Sequence, residues 1–169
     1  MTATVATNPG VIDILVTQLS ISDRAIHRNL EGVSHEESIR RPQPGGNSTN
    51  WIVGHIVAAR SRTLSALGEA NVLADESIAT YRRGSDGNVE AGLPLNDLID
   101  AFDRSQPILV ARLRRLTDAE LAAKSPLPTP AGPDANLGAA LSALTFHEAY
   151  HVGQLGIARR LIGKTGAIS

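Results

Sequence analysis

The sequence predicts an all-α fold, a four-helix bundle running up, down, down, up, with a long crossover between its second and third helices. Three observations lead there. Apolar residues recur at a spacing of three and four in four separate stretches, the mark of amphipathic helices. No stretch alternates apolar with polar residues as a strand would, and aromatic residues make up only 3% of the chain, which argues against a sheet core. The broken, polar segment Glu69 to Pro94 is far longer than the short connections that join antiparallel neighbours, so it is expected to cross the length of the bundle. The 169 residues fit one domain, 1–169, large enough to bury a core without covalent staples.

Asn8-Pro9 reads as the start of helix one, with asparagine as N-cap and proline at the first helical position, where its missing N–H is harmless. Ile12, Leu15, Leu19, Ile26 and Leu30 form its apolar stripe, and it should end near Gly32. Val33 to Gly46, with Pro42, Pro44 and a glycine pair, reads as a loop. Asn47 or Ser48 then caps helix two, which runs to about Leu67-Gly68 and sets Trp51, His55 and Ala59 on one face. Leu95, Leu98, Phe102, Leu109, Leu113 and Leu116 outline helix three, which Pro107 should kink by removing one backbone hydrogen bond. Thr117-Asp118-Ala119-Glu120 is a capped short turn, and prolines 126, 128, 130 and 133 make a stiff loop ending in a cap at Asp134 or Asn136. Helix four, with Leu137, Leu141, Leu144, Leu155 and Leu161, continues to about Ile162, with Gly163 beyond its end.

Composition excludes several functions. The formal net charge is −1, so no field gathers a polyanion and nucleic acid is not an expected partner. The chain has no cysteine, which removes disulfides, thiolate ligands and a cysteine nucleophile together, and any metal site must use nitrogen and oxygen. Met1 to Gly10 lacks a basic leader and no apolar run reaches about 18 residues, so a soluble cytoplasmic protein without a membrane span is expected.

The chemistry is concentrated in His147-Glu148-Ala149-Tyr150-His151. Histidines at i and i+4 share one helix face with Cβ atoms roughly 5 to 6 Å apart, a chelating pair that needs a third ligand. His55 lies roughly 10 Å into helix two, and His151 and His147 roughly 17 to 22 Å from the end of helix four. In antiparallel helices that is a mismatch of about two turns, within the uncertainty of helix ends. His55 also shares its face with Trp51 and so points inward, which makes His55, His147 and His151 the candidate metal ligands. His27, in the last turn of helix one, suits a cation beside a helix C-terminus, and His35 falls in a loop. His147-Glu148-x-x-His151 also matches the zinc-peptidase pattern, with Glu148 as general base. That pattern draws its third protein ligand from downstream, yet no Asp, Glu or His follows His151, and Gln154 and Ile157 replace the glycine and histidine of the extended motif. Glu148 is a candidate catalytic residue, a proton acceptor, with two alternatives: a carboxylate orienting a ligand imidazole, or a surface charge.

Asn50-Trp51-Ile52-Val53-Gly54-His55 resembles the second-helix signature of the DinB/YfiT-like superfamily, and Phe146-His147-Glu148-Ala149-Tyr150-His151-Val152-Gly153-Gln154 resembles its fourth-helix signature. The likeness extends through Arg159-Arg160-Leu161-Ile162-Gly163-Lys164 and covers most of the chain from about Val11, the crossover being the divergent part. The resemblance implies a bundle of the topology above, often dimeric, with a three-histidine site for a divalent metal such as nickel or zinc. It also implies transferase or isomerase chemistry that uses a low-molecular-weight thiol such as bacillithiol or mycothiol.

Three neutral imidazoles leave a metal an open position, as in catalytic rather than structural sites. A water or a thiol can take that position, and with the resemblance the expected function is a divalent-metal-dependent enzyme, an S-transferase joining a thiol cosubstrate to a small electrophile. The alternatives are a non-catalytic metal-binding or interaction protein and a metal-dependent hydrolase. Arg62 and Arg159, each about two turns beyond a histidine, are candidates to hold a ligand carboxylate. The resemblance implies a homodimer, and the depth of His55 places a pocket opening near Trp51 and the loops Pro42 to Asn47 and Thr129 to Asn136. Proton competition for imidazoles with an ordinary pKa near 6.5 should empty the site below about pH 6.

Overall fold

The fold is taken from a computed structural model, which describes residues 10–43, 45–85, 89 and 92–167. Seven helices occur among them: α1 (Val11–Leu30), α2 (His35–Ser38), α3 (Thr49–Ala66), α4 (Asp75–Thr80), α5 (Leu95–Leu113), α6 (Asp118–Ala122) and α7 (Leu137–Leu161), with no named strand. The four long ones, α1, α3, α5 and α7, are the helices the apolar spacing predicts.

Their ends follow the capping chemistry. Ser48 Oγ accepts from the Trp51 N–H at 3.2 Å to open α3, and Asn136 Oδ1 accepts from the Ala139 N–H at 2.8 Å to open α7. Gly68 and Gly163 follow the ends of α3 and α7 at φ of 80° and 86°, a left-handed turn that glycine enters without strain. α1 begins at Val11 behind Gly10, and the cap expected at Asn8-Pro9 lies outside the described residues, as do Pro44 and Gly87. The segment read as a loop after helix one contains α2, whose signal is a capping box: Ser34 and Glu37 each accept the other's backbone N–H, at 3.1 and 2.9 Å. α5 is helical through Pro107.

Side-chain links fix the helix directions. Asn50 reaches the Leu93 carbonyl, Arg60 reaches Ser105 and Arg112 reaches the Leu67 carbonyl, so α3 and α5 run parallel. Thr145 meets Gln18 and Arg159 meets the Asn29 carbonyl, so α1 and α7 are parallel too. The start of α3, Trp51 to Val57, packs with Leu155 and Ala158, and its end, Leu64, with Leu141 and Leu144, so α7 runs antiparallel to α3. The result is up, down, down, up, as the sequence predicts.

Two apolar clusters fill the bundle, one holding Trp51 to Ala58 of α3 with Phe102 and Leu155, the other Ala59 and Leu64 with Leu109, Leu141 and Leu144. On α5 and α7 the residues between the clusters include Ser105, His147, Glu148 and His151, a polar layer across the middle. α3 is buried on nearly every side, because the crossover wraps its outer face. Tyr81 of the crossover packs so tightly on Gly54 that a Cβ there would collide with its ring, which explains a glycine in mid-helix. The Tyr81 hydroxyl donates to Asn50 Oδ1 at 3.1 Å and accepts from the Leu93 N–H at 2.8 Å, locking the segment down.

Candidate metal centre

The polar layer brings His55, His147 and His151 together. Each offers a ring nitrogen within 4.8 Å of the others, and the ring centroids are 4.5 to 4.9 Å apart. Nε2 of His55 and Nε2 of His147 are 3.0 Å apart, close enough to share one ion at the usual metal–nitrogen distance of about 2.0–2.1 Å.

Neighbouring groups decide which nitrogen of each ring is available. The Tyr81 carbonyl can only accept, so His55 Nδ1, at 2.6 Å from it, carries the proton and Nε2 keeps its lone pair. His151 Nδ1 donates to Gln154 Oε1 at 2.7 Å, with the same result. Carbonyl and amide acceptors of this kind fix ring orientation and raise the basicity of the ligating nitrogen. His147 differs, since its Nδ1 is buried without a hydrogen-bond partner among the described residues. Without a metal, His147 Nε2–H donates to the His55 lone pair; an ion would take the place of that proton. Trp51 stacks on the other face of His55, centroids 4.6 Å apart and planes 10° apart, and its Nε1–H donates to Ser85 at 2.9 Å.

Burial keeps the cluster neutral. It pushes all three imidazoles below their ordinary pKa, His147 furthest, to about 3, with the positive ends of His151, His55 and Arg62 adding to the effect. Three neutral, preoriented imidazoles fit a divalent ion of nitrogen preference, and among the described residues no fourth protein ligand joins the group.

Glu148 faces the other way. Its two carboxylate oxygens accept from Arg60 Nε and an Nη at 2.6 and 2.8 Å, both residues fully buried. Arg60 also donates to Ser105 at 3.0 Å and lies 4.0 Å over the Phe102 ring. The carboxylate considered as a proton acceptor is thus already committed to a guanidinium, and it is no surface charge. Arg60 carried no expectation from the sequence; the available signal was an arginine directly after the apolar run Ile56 to Ala59 and one helical turn beyond Ile56, where a charge on the buried face needs a buried partner.

The other expected residues fall as follows. Arg159 does not face the cluster: it donates to the carbonyls of Asn29, Glu31 and Thr165, satisfying the C-terminus of α1. His27 pairs with Asp103 at 2.9 Å instead of with a helix terminus alone. His35 begins α2, and its Nδ1 accepts from the Leu95 N–H at 3.3 Å. Arg62 lines a pocket of about 530 Å³ that has His147 in its wall, along with Thr63, Arg83, Thr129 and Tyr150. The Thr129 loop borders it as expected, but Trp51 and the Pro42 to Asn47 loop do not. The crossover covers the Trp51 side, so access runs along the C-terminal half of α3.

A family model described as the DinB superfamily matches residues 18–155, a span that includes all three histidines. The structure is also similar to the crystal structure of a conserved protein from Enterococcus faecalis, with a TM-score of 0.72 and 16% identity over 92% of this chain and 98% of that one. At that identity the likeness is one of fold. No curated protein matches the chain.

Proposed function

The chain belongs to the DinB superfamily, and from that premise we propose that it is a metal-dependent enzyme, a thiol-dependent S-transferase acting on a small electrophile, with His55, His147 and His151 holding a divalent ion such as nickel or zinc. The observation that carries this reading is the pocket of about 530 Å³ that reaches His147, beside a cluster with only three protein ligands. When bound, the ion supplies Lewis acidity that lowers the pKa of a coordinated thiol. The thiol is a diffusible cosubstrate, because the chain has no cysteine. His55 and His151 hold their Nε2 lone pairs toward the cluster. Glu148 serves as an internal anchor, and its engagement by Arg60 disfavours the hydrolase reading, which needs a free general base.

We place the protein in the cytoplasm, as a homodimer. Val11, Ile14 and Ile21 of α1 and Phe146, Tyr150, Ile157 and Leu161 of α7 are large apolar residues left exposed on two adjoining helices, which supports such an interface. Light scattering at micromolar concentration tests it, and a monomer would defeat it. No helix is long and apolar enough to cross a membrane.

The test of the enzyme reading is metal analysis of the purified protein followed by a thiol-consumption screen against electrophiles. The expected result is about one ion per chain and thiol consumption that disappears in His147→Ala. A metal-loaded protein that consumes no thiol with any electrophile would favour the non-catalytic metal-binding protein instead.

A further inference from the structure

The pocket beside His147 is chemically lopsided. Two arginines line it, Arg62 from α3 and Arg83 from the crossover, and among the described residues no aspartate or glutamate does. Elsewhere in the bundle the arginines that are not exposed are answered, Arg60 by Glu148, Arg112 by Glu120 and Arg159 by three carbonyls, while exposed ones such as Arg24, Arg28 and Arg114 face solvent; Arg62 and Arg83 differ from the latter in facing a pocket. Among the described residues neither Arg62 nor Arg83 has a carboxylate within ion-pair distance or any hydrogen-bond acceptor, and both are exposed. Two cations on one pocket repel each other in the free protein, and an anion between them removes that repulsion.

Most of the remaining lining is apolar, with Thr63 and Thr129 the exceptions beside His147. Leu127, Pro130, Ala143 and Leu144 form walls, and Phe146 and Tyr150, 70% and 58% exposed, stand at the rim. A wholly polar anion such as inorganic phosphate would leave these surfaces wet, and a neutral apolar molecule would leave the arginines unpaired. We infer that the pocket takes an organic anion, a carboxylate joined to an apolar body, with the carboxylate held between Arg62 and Arg83 and the body lying along the Leu127 to Pro130 wall toward His147. The guanidinium fork matches a carboxylate in two parallel hydrogen bonds. The inference concerns the site of the proposed enzyme and rests on that reading only for the claim that the bound molecule is a reactant.

The experiment uses the full-length protein, metal-free and nickel-loaded, with 4-phenylbutyrate and its uncharged amide as probes, and binding followed by ligand-observed NMR titration. The acid should bind at least about tenfold more tightly than the amide, a value set low because both arginines are exposed. In Arg62→Ala/Arg83→Ala the preference should vanish, while thermal midpoint and nickel content stay as in the parent. The same double variant with lysines should recover part of it, since charge returns without the fork. Equal binding of acid and amide, no binding of either, or a preference that survives the alanine variant would overturn the inference. Arginine-dependent acid binding by a protein that takes up no nickel would uphold this inference and overturn the metal reading.

Discussion

Two polar groups of residues lie side by side where α3 meets α7, and they are built on opposite principles. Arg60 and Glu148 form a closed set: both oxygens and three guanidinium nitrogens have partners, and no solvent reaches either residue. The three histidines form an open set, with Nδ1 of His147 unpartnered and a pocket against that ring. A complete buried network serves the fold, because each member satisfies another; an incomplete one beside a cavity is waiting for something from outside. The motif His147-Glu148-x-x-His151 therefore serves both, with histidines and glutamate on different faces of a single helix.

If that contrast is right, the largest loss follows from opening the closed set. Arg60→Ala strands the Glu148 charge in the interior and should reduce unfolding free energy by about 3–5 kcal/mol in urea titrations, with or without metal. Replacing both partners by apolar residues, Arg60→Met with Glu148→Leu, should recover most of it. A double variant as unstable as the single one would show that Arg60 does more than neutralise Glu148.

Removing His147 should have the reverse character. His147→Ala should abolish metal uptake, and with it the stabilisation that bound metal confers, about 2.7 kcal/mol at a hundredfold excess over Kd. His55→Ala should do the same. The measurement is the difference in thermal midpoint between metal-loaded and metal-free protein; if it persists in either variant, the three-ligand assignment fails. Gln154→Leu is a finer cut, since it takes away only the acceptor that orients His151. Metal affinity should fall about tenfold with little change in metal-free stability, and an unaltered titration would show that the ring needs no such support.

The gentlest probe is pH. In the folded chain all three imidazoles are held below their ordinary value of about 6.5, His147 at about 3. Between those limits the unfolded chain takes up protons that the folded chain refuses. Metal-free stability should thus be unimpaired above pH 6.5 and decline steadily as the pH falls toward 3. The slope should flatten in His147→Ala; a profile the substitution leaves alone would break the connection. The same depression lets the site stay loaded below pH 6, lower than ordinary imidazoles would allow.

The four long helices were legible because each carries a stripe of apolar residues between recognisable caps, and their order follows from the one long connection. The two-histidine spacing needed only helix geometry, and His55 followed from depth and facing. What escaped were features made by residues distant in sequence. Arg60 meets Glu148 across 88 positions, and neither residue names the other. Tyr81 lies in the polar crossover that pattern reading leaves structureless, yet it seats on Gly54 and its carbonyl sets the tautomer of His55. The expected pocket mouth is right at Thr129 and wrong at Trp51 for the same reason, since only the folded crossover reveals that it covers the tryptophan.

Trp51 is the only tryptophan in the chain, and its indole lies flat on the imidazole of His55. A single indole fluorophore thus rests on one arm of the cluster. Its emission reports from one location, and an open-shell ion such as nickel would quench it where zinc would not. Occupancy and ion exchange at the histidines would be visible by light in the unlabelled protein, in real time.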